Sequence, residues 1–126
     1  MAELETTVRK LMDAFDRKDF EAITAMATDD AQAVDEISRR WIRSGKELEE
    51  YFAEVGPAIE EISSELSDLH EFDWGDTGLV TCWLEQDYLF DGVQEHVSAP
   101  TTMVLRRIDG EWRIALIHSV PLSEAD

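Results

Sequence analysis

Cysteine is nearly absent from this chain. Cys82 stands alone, so no intrachain disulfide can form and no zinc cluster of paired cysteines can be built. Between Val80 and Leu84 it reads as a free, buried thiol, and no base adjacent in the chain would activate it. Bases are scarce as well: 11 Lys and Arg stand against 29 Asp and Glu, for a net charge of −18. No Lys or Arg occurs from Glu47 through Leu105. Such a surface repels a phosphate backbone, which argues against nucleic-acid binding, and it excludes anionic membranes. Solubility in a salty cytoplasm accounts for the charge, with a basic partner as the alternative. Long apolar runs are missing, and MAELETTVRK lacks the basic start and apolar block of a secretory signal, so a cytoplasmic protein is expected. Metal binding needs three convergent ligands, and no spacing here supplies them. No cofactor is expected.

What is present suits one globular domain over residues 1–126, with 44% hydrophobic residues. Leu4, Val8, Leu11, Met12 and Phe15 recur at helical spacing and predict an amphipathic helix over 3–17. Asp19 can cap a short second helix carrying Phe20, Ile23 and Met26, ended by Thr28-Asp29-Asp30. Two strands, Ala31–Ile37 and Arg39–Arg43, are expected next. Ser44 and Glu47 form a capping-box pattern for a third helix with Leu48, Tyr51, Phe52 and Val55 on its buried face. Gly56-Pro57 stops it.

Residues 58–69 are ambiguous. Ile59, Ile62, Leu66 and Leu69 have helical spacing, yet the context wants a strand, expected from about Ser63 to Asp73. Long strands Leu79–Phe90 and Gln94–Ile108 follow, joined by Asp91-Gly92. Asp109-Gly110 is a hairpin turn of the kind that needs positive φ at both positions, and it leads into the last strand. There Trp112, Ile114, Leu116 and His118 alternate with Arg113, Ala115, Ile117 and Ser119. Apolar residues on both faces predict a central strand. Pro100 implies a bulge or an unpaired position. The whole reads as three helices followed by an antiparallel meander of four long strands.

Three stretches, KDFEAITAMATDDA from Lys18, IRSGKELEEYF from Ile42 and IDGEWRIALIHS from Ile108, resemble the SnoaL-like branch of the nuclear transport factor 2-like superfamily. The resemblance implies an α+β cone of cystatin-like type, three N-terminal helices packed on a strongly curved antiparallel sheet around an apolar cavity. It also implies a homodimer joined through the outer sheet face. The fold hosts isomerases, cyclases, dehydratases, binding domains and oligomerisation modules, so it does not itself name a function.

Asp29 to Asp35 lines up without a gap with the stretch of ketosteroid isomerases that ends in their catalytic aspartate. The resemblance thus makes Asp35 a candidate base, since a carboxylate in an apolar cavity suits proton abstraction beside a carbonyl. Glu36 competes for the position, because alternation lets only one of the two face inward. The tyrosine those enzymes use falls on Leu11, and their protonated acid falls near Thr102 or Val104. Leu11 cannot stabilise an oxyanion, which argues against steroid isomerisation. Asp35 paired with Arg39 or Arg40 at the surface is the structural alternative.

His118 is the second catalytic candidate, against a core histidine bonded to Ser119 or backbone. Phe15, Trp41, Phe52, Tyr88 and Trp112 are the candidates to line a site for a ring-containing molecule. Trp83 shares a face with Glu85 and Asp87 and reads as rim, while Trp74 reads as a cavity candidate or as core or interface filling. His70 and His96 read as surface residues, and cross-strand ion pairs account for Arg106, Arg107 and Arg113. The leading expectation is a small-molecule-binding domain. A cofactor-free isomerase, cyclase or dehydratase using Asp35 is the alternative, and a structural dimerisation module the third.

Overall fold

In the first helix, α1 (Glu3–Asp16), the apolar stripe is the buried face: Leu4, Val8, Leu11 and Phe15 all point into the core. The computed structural model describes residues 3–34 and 40–121. Asp19 caps α2 (Phe20–Ala25) by accepting from the Ala22 N–H. Strand β1 (Ala27–Val34) follows, then α3 (Gly45–Val55) and the strands β2 (Ile59–Asp73), β3 (Thr77–Phe90), β4 (Val93–Ile108) and β5 (Glu111–Ser119). Ser44 accepts from the Glu47 N–H at the start of α3, and the Glu47 carboxylate accepts from the Arg43 N–H. The return bond of the expected capping box is therefore displaced by one residue.

The strands form one sheet in the order β1-β5-β4-β3-β2, with β1 parallel to β5 and the remaining pairs antiparallel. β5 is central, as its two apolar faces require. The Asp91-Gly92 and Asp109-Gly110 turns have φ of 51°, 81°, 52° and 80°, the left-handed pair a tight hairpin demands. β3 and β4 turn one face to the helices, where Val80, Cys82, Leu84, Gln86 and Tyr88 meet Val97, Ala99, Thr101, Met103 and Leu105, all buried. Leu79, Trp83 and Glu85 lie half-buried on the other face.

Several expected boundaries move. β1 starts at Ala27, so Thr28-Asp29-Asp30 belongs to the strand, where the Thr28 hydroxyl donates to Asp30. Its expected end, Asp35 to Ile37, lies outside the described residues. The expected strand Arg39–Arg43 reduces to one bridge between Ile42 and Ala33, with Arg39 itself outside the described residues. β2 begins at Ile59, four residues before Ser63.

Bulges explain the helical look of that segment. The β2–β3 register shifts between Glu60 and Ser63 and again between Ser67 and His70, with Glu61 and Asp68 at φ of 52° and 50°. Each bulge adds a residue, so inward positions fall at Ile59, Ile62, Leu66 and Leu69 rather than at every second residue. A third shift, opposite Val104 and Leu105, leaves Ala115 as the extra residue of β5. Pro100 causes no bulge: it pairs in register with Trp83, and the β4–β5 ladder begins one residue later, at Thr101. It is the unpaired position on that side.

Candidate functional site

The helices do not fill the curve of the sheet. Between them lies a cavity of about 70 Å³, bounded by Leu11, Met12 and Phe15 of α1, Leu48 and Phe52 of α3, and the inner face of β3, β4 and β5. Its walls are mostly apolar, but Gln86, Thr101 and Ser119 border it and are themselves buried, and Gln32, exposed elsewhere, also borders it. Phe52 is held by a stacked Phe20 ring at 4.5 Å.

Gln86 occupies an inward position of β3 between Leu84 and Tyr88, and none of it is exposed. Its amide Nε2 donates to Ser64 Oγ at 2.9 Å. Ser64 in turn sends its hydroxyl and backbone N–H to the two carboxylate oxygens of Asp16, at 2.6 and 3.1 Å. The second bulge-framed stretch of β2 puts Ser64 inward, in phase with Ile62 and Leu66, so it can reach the end of α1. Burial raises the Asp16 pKa from its ordinary 3.8; the Ser64 hydroxyl and N–H bonds oppose the rise, and Asp13 adds to it. Gln86 Oε1 is left without a partner among the described residues. Elsewhere on the wall, Thr101 Oγ1 donates to the Ala99 carbonyl at 3.2 Å and lies 2.8 Å from Ser119 Oγ.

These polar residues were not foreseen. The signal was there: Gln86 is the one amide within the apolar alternation Val80, Cys82, Leu84, Gln86, Tyr88. Of the foreseen residues, Phe15 and Phe52 border the cavity. Tyr88 and Trp112 are buried in the core but do not border it. Trp112 packs at the far end of β5, its ring 4.3 Å from the Arg107 guanidinium, which also reaches Asp73 and Glu3. Arg113 pairs with Glu111 and donates to the Ala25 carbonyl.

The Ala115 bulge corrects the expected phase of β5. Beyond it Ile117 and Ser119 turn to the cavity, and His118 is exposed on the opposite face beside Thr102 and Val34. There it meets Trp41, which is 43% exposed, at 6.0 Å between rings. His118 and Trp41 thus find each other outside the cone. Asp35 and Glu36 lie outside the described residues.

His96 and His70 are exposed, as expected. Hydrogen bonding to Asp87 raises the His96 pKa above 6.5, with Glu85 adding to the effect. Burial pushes the Cys82 thiol up to about 11, so it is not a nucleophile at neutral pH. Among the described residues no group of three His, Cys, Asp or Glu could hold a metal ion, and no helix is long and apolar enough to cross a membrane.

A cone of curved sheet closed by three helices over an apolar cavity defines the nuclear transport factor 2-like class of fold. The chain belongs within it to the SnoaL-like domain family, whose model matches residues 4–123. A ketosteroid isomerase-like protein from Erwinia carotovora superposes with a TM-score of 0.83 at 22% identity, covering 98% of this chain and 97% of that one. A candidate dehydratase of the nuclear transport factor 2-like family from Streptomyces avermitilis gives 0.86 at 22% identity, covering 97% and 95%. A candidate calcium/calmodulin-dependent protein kinase II association domain from Xanthomonas campestris gives 0.83 at 17% identity, covering 98% and 88%. At these identities the likeness is one of fold. No curated protein matches the chain.

Proposed function

We propose that this SnoaL-like domain binds a small apolar or ring-containing molecule in the cone. The observation that carries the proposal is a cavity with mostly apolar walls bordered by a fully buried amide, Gln86, whose oxygen has no partner among the described residues. Apolar enclosure with a few placed polar groups is the usual form of a ligand site. At about 70 Å³ the cavity is smaller than the roughly 150 Å³ that accepts benzene in an engineered core. A ring therefore enters only as Met12 and Met103 change rotamer, which unbranched methionine does readily. Millimolar toluene is expected to raise the melting temperature by a degree or more, and a Leu11→Trp variant that plugs the cone should lose the shift. No shift with toluene, phenol or any compact cyclic compound would end this reading.

Acid/base catalysis by Asp35 is the alternative, favoured by the likeness to an isomerase-like protein and a candidate dehydratase. Among the described residues no Asp or Glu borders the cavity and His118 stands outside it, so binding takes precedence. Self-association is a separate matter. Leu79, Trp83, Val104 and Leu116 lie half-buried on the outer face, with Trp41 beside them, and one similar structure is an association domain. A homodimer through that face is expected by light scattering, and a monomer mass at 100 µM (on the order of the upper range for stable dimers) excludes it.

A further inference from the structure

We infer that the cone selects molecules that donate a hydrogen bond, such as alcohols, phenols or N–H compounds, over those that only accept one. This rests on the binding reading above and adds the chemical class of the ligand. Both hydrogens of Ser64 are committed to the Asp16 carboxylate, which, when ionised, can only accept. Ser64 Oγ can then only accept from Gln86, so the amide must turn its nitrogen to Ser64. That orientation leaves Oε1, a pure acceptor, as the group without a partner at a residue with no exposed surface.

Thr101 and Ser119 share a hydrogen bond at 2.8 Å in which either hydroxyl can donate, so this pair adds no preference and the selection rests on Gln86. The buried group of the wall left without a partner is an acceptor, Gln86 Oε1. A ligand carbonyl or ether would be set oxygen against oxygen, and a matched donor would satisfy Gln86. Asp16 and Ser64 touch no ligand in this scheme. They are positioning residues that hold the amide in one orientation.

Phenol and toluene are near-isosteres that differ by O–H against CH₃, and calorimetric titration of both into the full chain tests the inference. Comparing affinity ratios between variants cancels the different hydration of the two probes. The phenol-to-toluene ratio is expected to fall about tenfold from wild type to Gln86→Leu, the worth of one neutral hydrogen bond. Ser64→Ala frees the amide to rotate and should lower the ratio severalfold while leaving toluene binding in place. It also serves as the test if Gln86→Leu does not fold. Toluene binding with a ratio unchanged in both variants overturns the inference and leaves the binding reading standing. If neither probe binds the wild type, the binding reading fails, and the inference with it.

Discussion

Met103→Ala is expected to cost the fold about 2–5 kcal/mol and, in the same protein, to strengthen binding of a ring compound. Met103 has no exposed surface, and it lies mid-strand in β4 between Val80 of β3 and Ile117 of β5. It is also part of the cavity wall. Truncation removes buried methylenes and the thioether, and sheet neighbours on both sides are pinned by their ladders, so the void cannot collapse. The cost is then the transfer loss plus a cavity term. That is a large share of the roughly 5–15 kcal/mol that holds a domain folded. The void joins a cavity of only about 70 Å³, so the space open to a ligand grows by a substantial fraction. Urea denaturation without ligand should show the loss, and titration with toluene should show tighter binding than wild type. A loss below 1 kcal/mol (small against the ~2–5 expected), or unchanged toluene affinity, would mean that the helices close over the gap. The cone would then be a packing defect rather than a site.

Element order was legible because its signals are local. Asp19 and Ser44 cap helices by accepting from the N–H three residues on, and Asp-Gly pairs set the two hairpins. The facing of side chains was less legible, because it depends on residues that bulge out of a ladder. Ala115 carries no turn chemistry, yet it moves Ile117 and Ser119 into the cavity and puts His118 outside. In β2, two bulges turn a strand's period into a helix's. The chain's own alternation cannot reveal a bulge that the neighbouring strand imposes. The polar groups of the site were least legible of all. Asp16 meets Ser64 across 48 residues and Ser64 meets Gln86 across 22, so nothing in any short window shows that the three form a chain.

That chain gives the second large effect. Asp16→Ala should destabilise the protein by about 1–2 kcal/mol, since it strips two donors of Ser64 of their acceptor at a half-buried position. Asp16→Asn should behave differently, and its difference from wild type should depend on pH. The folded-state pKa of Asp16 is raised above 3.8, chiefly by burial. The stability linked to that carboxyl is therefore fully present below about 3.8 and is lost as pH rises through the folded value. The asparagine variant has no such loss. Whatever constant offset its new amide introduces, its stability relative to wild type should climb as pH rises from about 4 towards neutrality and then level off. Chemical denaturation of both proteins at matched pH values measures the gap directly. A relative stability of the variant that stays flat, or that falls as pH rises, would show that the Ser64 hydrogen bonds outweigh burial. Asp16 would then anchor Ser64 and the Gln86 amide more firmly in its ionised form, and its hold on the orientation of that amide would strengthen with pH.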